Sequence, residues 1–168
     1  MRITILGSSD KNFSKKYSEL AYNLGKELAS LRHVIVTGGY DGIMKDVCRG
    51  AGSYGQAKIE GVISPEFSNL DHNKYITKKV EKPNISSRLY YMINKSRVLI
   101  TFPGSVGTIA ELWMSIYCNN VSSRKMKIFV HTDLKNELNR SLANLALYGD
   151  YNININFFTT VDEVVEKL

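Results

Sequence analysis

Residues 98–112 read "VLITFPGSVGTIAEL" and join an apolar run, a proline, a Gly-Ser-Val-Gly turn and the start of a helical pattern. The apolar run is short, as expected of a strand that is buried on both faces. A strand that passes through a glycine turn into a helix exposes backbone N–H groups that can bind an anion. This stretch therefore raises the question of whether its turn only connects two elements or holds a phosphate. The helix is predicted from apolar residues at helical spacing: Ile109, Leu112, Trp113, Ile116 and Tyr117.

The same alternation of strand-like and helix-like segments runs along much of the chain. The pattern predicts an α/β fold of the Rossmann-like, three-layer type, with a mainly parallel central sheet and helices on both faces. Residues 64–84 are the least regular stretch, and they are interpreted as a substrate-facing loop followed by an edge strand around residues 75–80. The predicted buried strands cover residues 2–6, 33–37, 59–63, 97–102 and 126–131.

Composition bounds the size and the class of the protein. A chain of 168 residues with 43% hydrophobic and 23% charged residues suits a single Rossmann-like nucleotide-binding domain over residues 1–168. Cys48 and Cys118 are isolated and the three histidines are scattered, so neither a metal site nor a disulfide framework is expected. No apolar stretch approaches the roughly 20 residues that cross a bilayer, and the first apolar run is too short for a signal peptide. A cytoplasmic protein without membrane contact is expected.

The net charge of +6 favours anionic partners such as nucleotides. The basic residues are dispersed, and no nucleic-acid-binding motif accompanies them, so nucleic acid is not the expected partner. Three glycine turns follow predicted strands, in "ILGSSD" (residues 5–10), "VTGGYDGIM" (36–44) and "TFPGSVGT" (101–108). Because the carboxyl ends of parallel strands share one edge of the sheet, these turns predict a nucleotide or sugar-phosphate site. None of them matches the dinucleotide or the Walker glycine pattern.

Two charged residues near this edge allow alternative interpretations. Glu111 and Thr108 share a helix face away from the apolar stripe, and the helix dipole predicts that Glu111 is ionised. Glu111 is then either a site carboxylate or an exposed glutamate at a favourable helix end. Arg88 lies early in a helix that Asn84 is expected to cap, where a cation is mildly unfavourable. Its side chain therefore either reaches solvent or meets an anion.

Taken together, "ILGSS", "VTGGYDGIM", "SRLYYM" and "FPGSVGTIAE" resemble the signature regions of the LONELY GUY (LOG) family, also called the "possible lysine decarboxylase" family. This family belongs to a Rossmann-like nucleotide-binding superfamily, and its members are phosphoribohydrolases. The most specific similarity is to the family motif Pro-Gly-Gly-x-Gly-Thr-x-x-Glu. It is matched here at Pro103, Gly104, Gly107, Thr108 and Glu111.

The resemblance implies that Glu111 and Arg88 are catalytic and that the glycine turns hold the substrate. The implied reaction cleaves the N-glycosidic bond of a nucleoside 5′-monophosphate to free base and ribose 5-phosphate, without a cofactor, in a homodimer. Two positions depart from the family: Ser105 replaces a glycine, and Leu89 stands where a lysine is typical. A non-catalytic carrier or sensor of a nucleotide or cofactor therefore remains an alternative, followed by a single-stranded nucleic-acid binder. The expected substrate or phosphate contacts are Gly7, Ser8, Ser9, Gly38, Gly39, Gly42, Pro103, Gly104, Ser105, Val106, Gly107 and Thr108.

Overall fold

The computed structural model describes residues 1–67, 70–123, 125–147 and 153–168. Its strands are short, and the central ones are composed almost entirely of buried residues. The strands are β1 (Arg2–Leu6), β2 (Val34–Thr37), β3 (Lys58–Ile63), β4 (Lys78–Glu81), β5 (Val98–Thr101), β6 (Lys127–His131) and β7 (Ile155–Phe158). The helices are α1 (Lys11–Ser14), α2 (Ser18–Ser30), α3 (Ile43–Gly52), α4 (Ile85–Lys95), α5 (Val106–Val121), α6 (Lys135–Leu145) and α7 (Val161–Val165).

The strands form one sheet in the order β4-β3-β2-β1-β5-β6-β7, and every pair of neighbours is parallel. The chain moves outward from β1 to β4, returns through α4 to place β5 beside β1, and then moves outward on the other side. The direction of winding therefore reverses between β1 and β5. In open parallel sheets, the crevice at this reversal is the usual place for a ligand.

Helices cover both faces of the sheet, so the predicted three-layer α/β architecture is confirmed. One face packs against α2, α3 and α7, and Leu24, Val47 and Val164 represent these helices in its core. The other face packs against α4, α5 and α6 through Met92, Leu112 and Leu138. Within the described ranges, no helix combines the length and the apolar character needed to cross a membrane.

The sequence pattern located five strands to within one residue, but it placed the edge strand too early and missed the last part of the sheet. β4 covers Lys78–Glu81 and not residues 75–80. β7 and its flanking helices were not predicted. The reason is physical, because β7 is an edge strand whose residues are mostly half-buried, so it lacks the continuous apolar run of an interior strand.

Candidate functional site

A cavity of about 130 Å³ lies at the carboxyl edge of the sheet, beside the point where the winding reverses. The ends of β1 and β2 form its floor, and α4 and α5 form its walls. Its lining combines backbone turns, two charged side chains and an apolar wall. The lining residues are Ile5, Leu6, Gly7, Ser9, Gly38, Tyr40, Met44, Phe67, Leu70, Arg88, Met92, Ser105, Gly107, Thr108 and Glu111.

Backbone hydrogen bonds hold the three glycine turns together at this edge. The N–H of Ser8 donates to the carbonyl of Pro103 at 3.4 Å, which joins the turn after β1 to the turn after β5. The carbonyl of Ser8 accepts from the N–H of Ile43 at 3.0 Å, which joins the same turn to the start of α3. The turns after β1, β2 and β5 therefore converge, as expected from the parallel sheet.

The predicted contact residues divide into two groups. Those lining the cavity are Gly7, Ser9, Gly38, Ser105, Gly107 and Thr108, together with Arg88 and Glu111. The others support the turns from outside. Ser8, for example, is buried, and its hydroxyl accepts a hydrogen bond from the N–H of Asp10, whereas the Val106 side chain is 86% exposed. The remaining predicted contacts that do not line the cavity are Gly39, Gly42, Pro103 and Gly104.

Two of the glycines are required by the geometry of the turns. Gly42 has a φ of +64°, in the left-handed region that side chains disfavour, and a Cβ there would lie 2.2 Å from the Ser8 carbonyl oxygen. A Cβ on Gly38 would lie 2.1 Å from Nη2 of Arg88. Gly42 thus permits the contact between two turns, and Gly38 leaves room for the guanidinium.

The amino terminus of α5 opens toward the cavity with its backbone donors available. Ser105 is the N-cap residue in an extended conformation, but its side chain makes no capping hydrogen bond. The first turn of α5 contains no acidic residue. A Cβ added to Gly107 would meet no atom of the described chain within 4 Å, although Gly107 lines the cavity. This combination of free space, unpaired helical N–H groups and a positive dipole end suits a phosphate.

Arg88 is fixed in one orientation by four neighbours. Its side chain is only 5% exposed, its Nε donates to the Val62 carbonyl at 2.8 Å, and its Nη1 donates to Oε1 of Glu111 at 3.0 Å. The guanidinium carbon also lies 5.1 Å from the ring centre of Phe67 and 5.7 Å from that of Tyr40. Of the two alternatives for Arg88, the structure therefore has the side chain meeting an anion rather than reaching solvent.

Burial and the helix dipole act on the pKa of Glu111 in opposite directions. Burial raises the pKa of Glu111 above its ordinary value, and the charge and the hydrogen bond of Arg88 oppose this shift without cancelling it. The direction is opposite to the one that the helix dipole alone predicts, because loss of hydration outweighs the favourable end of the helix. The Glu111 side chain is still 20% exposed and lines the cavity, so it remains accessible from there.

The apolar wall of the cavity was not predicted residue by residue. It consists mainly of Tyr40, Met44, Phe67, Leu70 and Met92. Tyr40 directly follows the glycine pair of "VTGGYDGIM", and this position could have predicted that it lines the cavity. Phe67 and Leu70 come from the irregular stretch interpreted as a substrate-facing loop.

The site's chemistry depends on one carboxyl group, one guanidinium and backbone donors. Among the described residues, no group of three or more His, Cys, Asp or Glu side chains could hold a metal ion. Cys48 of α3 is buried in the core between this helix and the sheet. Burial raises the pKa of its thiol to about 11, so the thiol stays uncharged at neutral pH. Leu89 packs against the core on the α4 side and does not add a cation to the site.

A parallel sheet with glycine turns converging at its reversal point defines a Rossmann-like α/β protein of the LOG-like class. Residues 1–142 match the SLOG cluster4 family, and the chain belongs to that family. A curated relative from Archaeoglobus fulgidus, described as an uncharacterized protein, is 26% identical over 116 residues, which are 69% of this chain and 74% of the relative.

Solved structures share this fold over 99% of the chain. The structural genomics target TM1055 is 20% identical with a TM-score of 0.75, and 96% of it is covered. The molybdenum cofactor binding protein from the phototrophic bacterium Rippkaea orientalis is 17% identical with a TM-score of 0.72, and 92% of it is covered. The molybdenum cofactor carrier protein from Chlamydomonas reinhardtii is 16% identical with a TM-score of 0.70, and 94% of it is covered. At such identities the similarity establishes the fold alone.

Proposed function

We propose that the carboxyl-edge cavity binds a nucleoside 5′-monophosphate and that the protein hydrolyses its N-glycosidic bond to free base and ribose 5-phosphate. The observation that carries this proposal is the Arg88–Glu111 pair, which holds a partly buried carboxyl group beside the glycine turn at the start of α5. An anion site and a carboxyl group in one cavity are what this reaction needs.

The phosphate is assigned to the amino terminus of α5. The first N–H groups of this helix have no partner within the helix, and Ser105 leaves them uncapped. Ser9 and Thr108 border the same space and offer hydroxyl groups. The open volume around Gly107 lets the phosphate oxygens approach the backbone closely. Among the residues that the structure describes, no lysine or second arginine lines the cavity, so backbone donors and the helix dipole supply most of the anion binding.

The carboxyl group of Glu111 is assigned to the ribose carbon C1′. As the bond from C1′ to the base nitrogen breaks, the base takes the bonding electrons and positive charge develops on the sugar, which an ionised carboxylate stabilises. Water forms the new C–O bond at C1′, and its proton is transferred to the leaving base directly or through the carboxylate. Arg88 holds Glu111 in place and offers hydrogen bonds to the ribose hydroxyls.

The size of the cavity limits how the substrate is held. Drug-sized ligands usually occupy about 300 to 1,000 Å³, whereas this enclosed space measures about 130 Å³. The enclosed part is therefore assigned to phosphate and ribose, and the base is assigned to the open side. Phe67 and Leu70, which line the cavity, supply apolar surface for a planar base.

The second candidate is a carrier or sensor that binds a phosphorylated cofactor without changing it. It is favoured by two solved structures of the same fold that are named for binding or carrying molybdenum cofactor. Leu89 also supports it, because this position lacks the lysine typical of LOG enzymes and belongs to the core. The two candidates share the anion site and differ in whether the bound ligand is cleaved.

A two-stage assay separates the candidates. The purified protein is screened against AMP, GMP, CMP and UMP by thermal shift, and each mixture is then analysed for free base by chromatography. The hydrolase proposal expects stabilisation and base release, with the release lost and the binding retained in Glu111→Gln. Glu137→Gln is the matched control, because Glu137 lies on the exposed surface of α6, where it pairs with Arg140. Binding without base release from any of the four nucleotides would replace the hydrolase proposal by the carrier.

A further inference from the structure

A second cavity, of about 250 Å³, lies at the amino edge of the sheet. It is formed where α2 and α3 end and where β2 and β3 begin. The site described above lies at the carboxyl ends of the same strands, so the two cavities are at opposite edges of the sheet. This amino-edge cavity is lined by Ala29, Arg32, His33, Tyr54, Gln56, Ala57 and Lys58.

The amino-edge cavity is basic, and none of the described residues that line it is acidic. Arg32 and Lys58 are exposed cations, and His33 is half-buried between them in the lining. In the described part of the chain, neither Arg32 nor Lys58 forms a salt bridge with a carboxylate. By contrast, Arg2 of β1 and Lys78 of β4 both pair with Glu60.

The backbone of Arg32 is held in a conformation that glycine would adopt more easily. Its φ is +56°, and it is the only non-glycine residue with a positive φ in the described ranges. It ends α2 with two hydrogen bonds, from its own N–H to the Ala29 carbonyl and from the His33 N–H to the Leu28 carbonyl. This arrangement is the Schellman motif, in which glycine is the usual residue at the left-handed position. An arginine there costs stability, and its side chain is directed to the cavity border.

We propose that the amino-edge cavity binds a phosphate or pyrophosphate group of a small phosphorylated ligand. The guanidinium of Arg32 and the ammonium of Lys58 supply charge-assisted hydrogen bonds to the phosphoryl oxygens. Gln56 and the hydroxyl of Tyr54 add neutral donors at the border of the cavity. The volume is sufficient for a phosphoryl group with a small attached residue. This proposal does not depend on the activity assigned to the carboxyl-edge cavity.

His33 provides a local reporter of binding. Burial lowers the pKa of His33, and the charge of the Met1 amino group, whose nitrogen lies 3.2 Å from His33 Nδ1, lowers it further. The other charged groups of the lining, Arg32 and Lys58, are cations as well. A bound anion would offset these positive charges around His33 and raise its pKa. The pKa of His33 should therefore be higher in the bound state than in the free state.

The experiment uses two of the three histidines as reporters of the two cavities. Inorganic pyrophosphate is titrated into the full chain, and the imidazole NMR signals are followed across pH 5 to 8. His33 reports the amino-edge cavity, whereas His72, with its ring centre 5.8 Å from that of Tyr40, reports the carboxyl-edge cavity. The expected result is a saturable shift of the His33 signal and a rise in its pKa. Any binding at the other cavity appears separately at His72.

Arg32→Gly is the decisive variant, because glycine suits the left-handed backbone and the fold should keep or gain thermal stability. In this variant the pyrophosphate affinity read from His33 should fall about tenfold or more. Lys58→Met should weaken it in the same direction, and Lys95→Met, an exposed lysine outside the cavity, should leave it unchanged. An unresponsive His33 at saturating pyrophosphate overturns the proposal. So does a response of equal affinity in Arg32→Gly.

Discussion

Arg88 Nη1 and Glu111 Oε1 lie 3.0 Å apart and connect α4 to α5 across the carboxyl-edge cavity. The Arg88 side chain is 5% exposed and the Glu111 side chain is 20% exposed. Each charge therefore compensates part of the cost of removing the other from water. The pair serves both the fold and the proposed chemistry, so variants at these two positions need measurements of both.

Arg88→Ala should weaken AMP binding about 10- to 100-fold, because a charge-assisted hydrogen bond contributes roughly 1.5–3 kcal/mol to a bound anion or hydroxyl. It should also lower the free energy of unfolding by about 3 kcal/mol, at the lower end for a broken buried pair, because Glu111 retains some access to water. Calorimetry measures the affinity, and urea denaturation measures the stability.

The double variant Arg88→Ala/Glu111→Gln serves as the control for the ion pair. Removing the unpaired carboxylate should recover part of the lost stability but none of the lost affinity. If Arg88→Ala alone bound AMP as tightly as the unmodified chain, Arg88 would have only a structural role.

Gly107→Ala tests whether the space at the start of α5 belongs to the ligand. The added methyl group meets no atom of the described residues within 4 Å, and alanine favours the helix, so stability should stay constant or rise by about 0.5 kcal/mol. Affinity for AMP should nevertheless fall, because the methyl group occupies the position from which phosphate approaches the backbone. Thermal shift with and without AMP measures both effects on one sample.

Gly38→Ala is the contrasting variant for the same cavity. Its methyl group would lie 2.1 Å from Arg88 Nη2 and 2.7 Å from Met44 Sδ, so the guanidinium must move. Stability and affinity should both fall. If Gly107→Ala bound AMP as tightly as the unmodified chain while Gly38→Ala lost affinity as expected, the phosphate would not bind at the amino terminus of α5.

The prediction of a homodimer rests on the exposed apolar residues of α4 and α5. Tyr90, Met114, Tyr117 and Val121 are exposed on these helices, whereas Tyr91 and Trp113 pack against the core. Aromatic and Met side chains are enriched at protein interfaces.

Light scattering at micromolar concentration should give twice the 19.0 kDa mass of one chain. Tyr117→Arg should shift the mass toward the monomer, and Leu147→Arg, at an exposed site beyond α6, should not. A monomeric unmodified chain would remove the prediction.

The sequence predicted the interior of the sheet well because strands buried on both faces need continuous apolar runs. β1, β2, β3, β5 and β6 meet that condition, and each was located to within one residue. β7 does not meet it, because Asn156 interrupts its apolar residues and it lies at the sheet edge. Local pattern carries little information about such a strand.

The sequence predicted the site only where one short segment contained the complete motif. The glycine turns could be read from short motifs, because a parallel sheet brings its carboxyl ends together. The contact of Arg88 with Glu111 joins two helices, and periodicity alone left both side chains free to face solvent. The raised pKa of Glu111 also depends on burial by residues distant in the sequence, and no local rule supplies that.

The last prediction concerns Glu60, whose carboxylate is nearly buried in β3 and binds the side chains of Arg2, Lys78 and Tyr91. Burial raises its pKa, but the hydrogen bonds and charges of Arg2 and Lys78 outweigh burial, and the pKa of Glu60 lies below its model-peptide value of 4.5. The folded state thus holds the proton less tightly than the unfolded state. The resulting stability is fully present above about pH 4.5 to 5 and is lost as the pH falls through the lower folded-state pKa.

Glu60→Gln should lower the free energy of unfolding at pH 7 by about 3 kcal/mol and should flatten its decline between pH 5 and pH 3. Urea denaturation across this range measures both, with Glu137→Gln as the exposed control. An acid decline as steep in Glu60→Gln as in the unmodified chain would assign the effect to other carboxylates, such as Asp41 or Asp133, whose pKa values are also lowered.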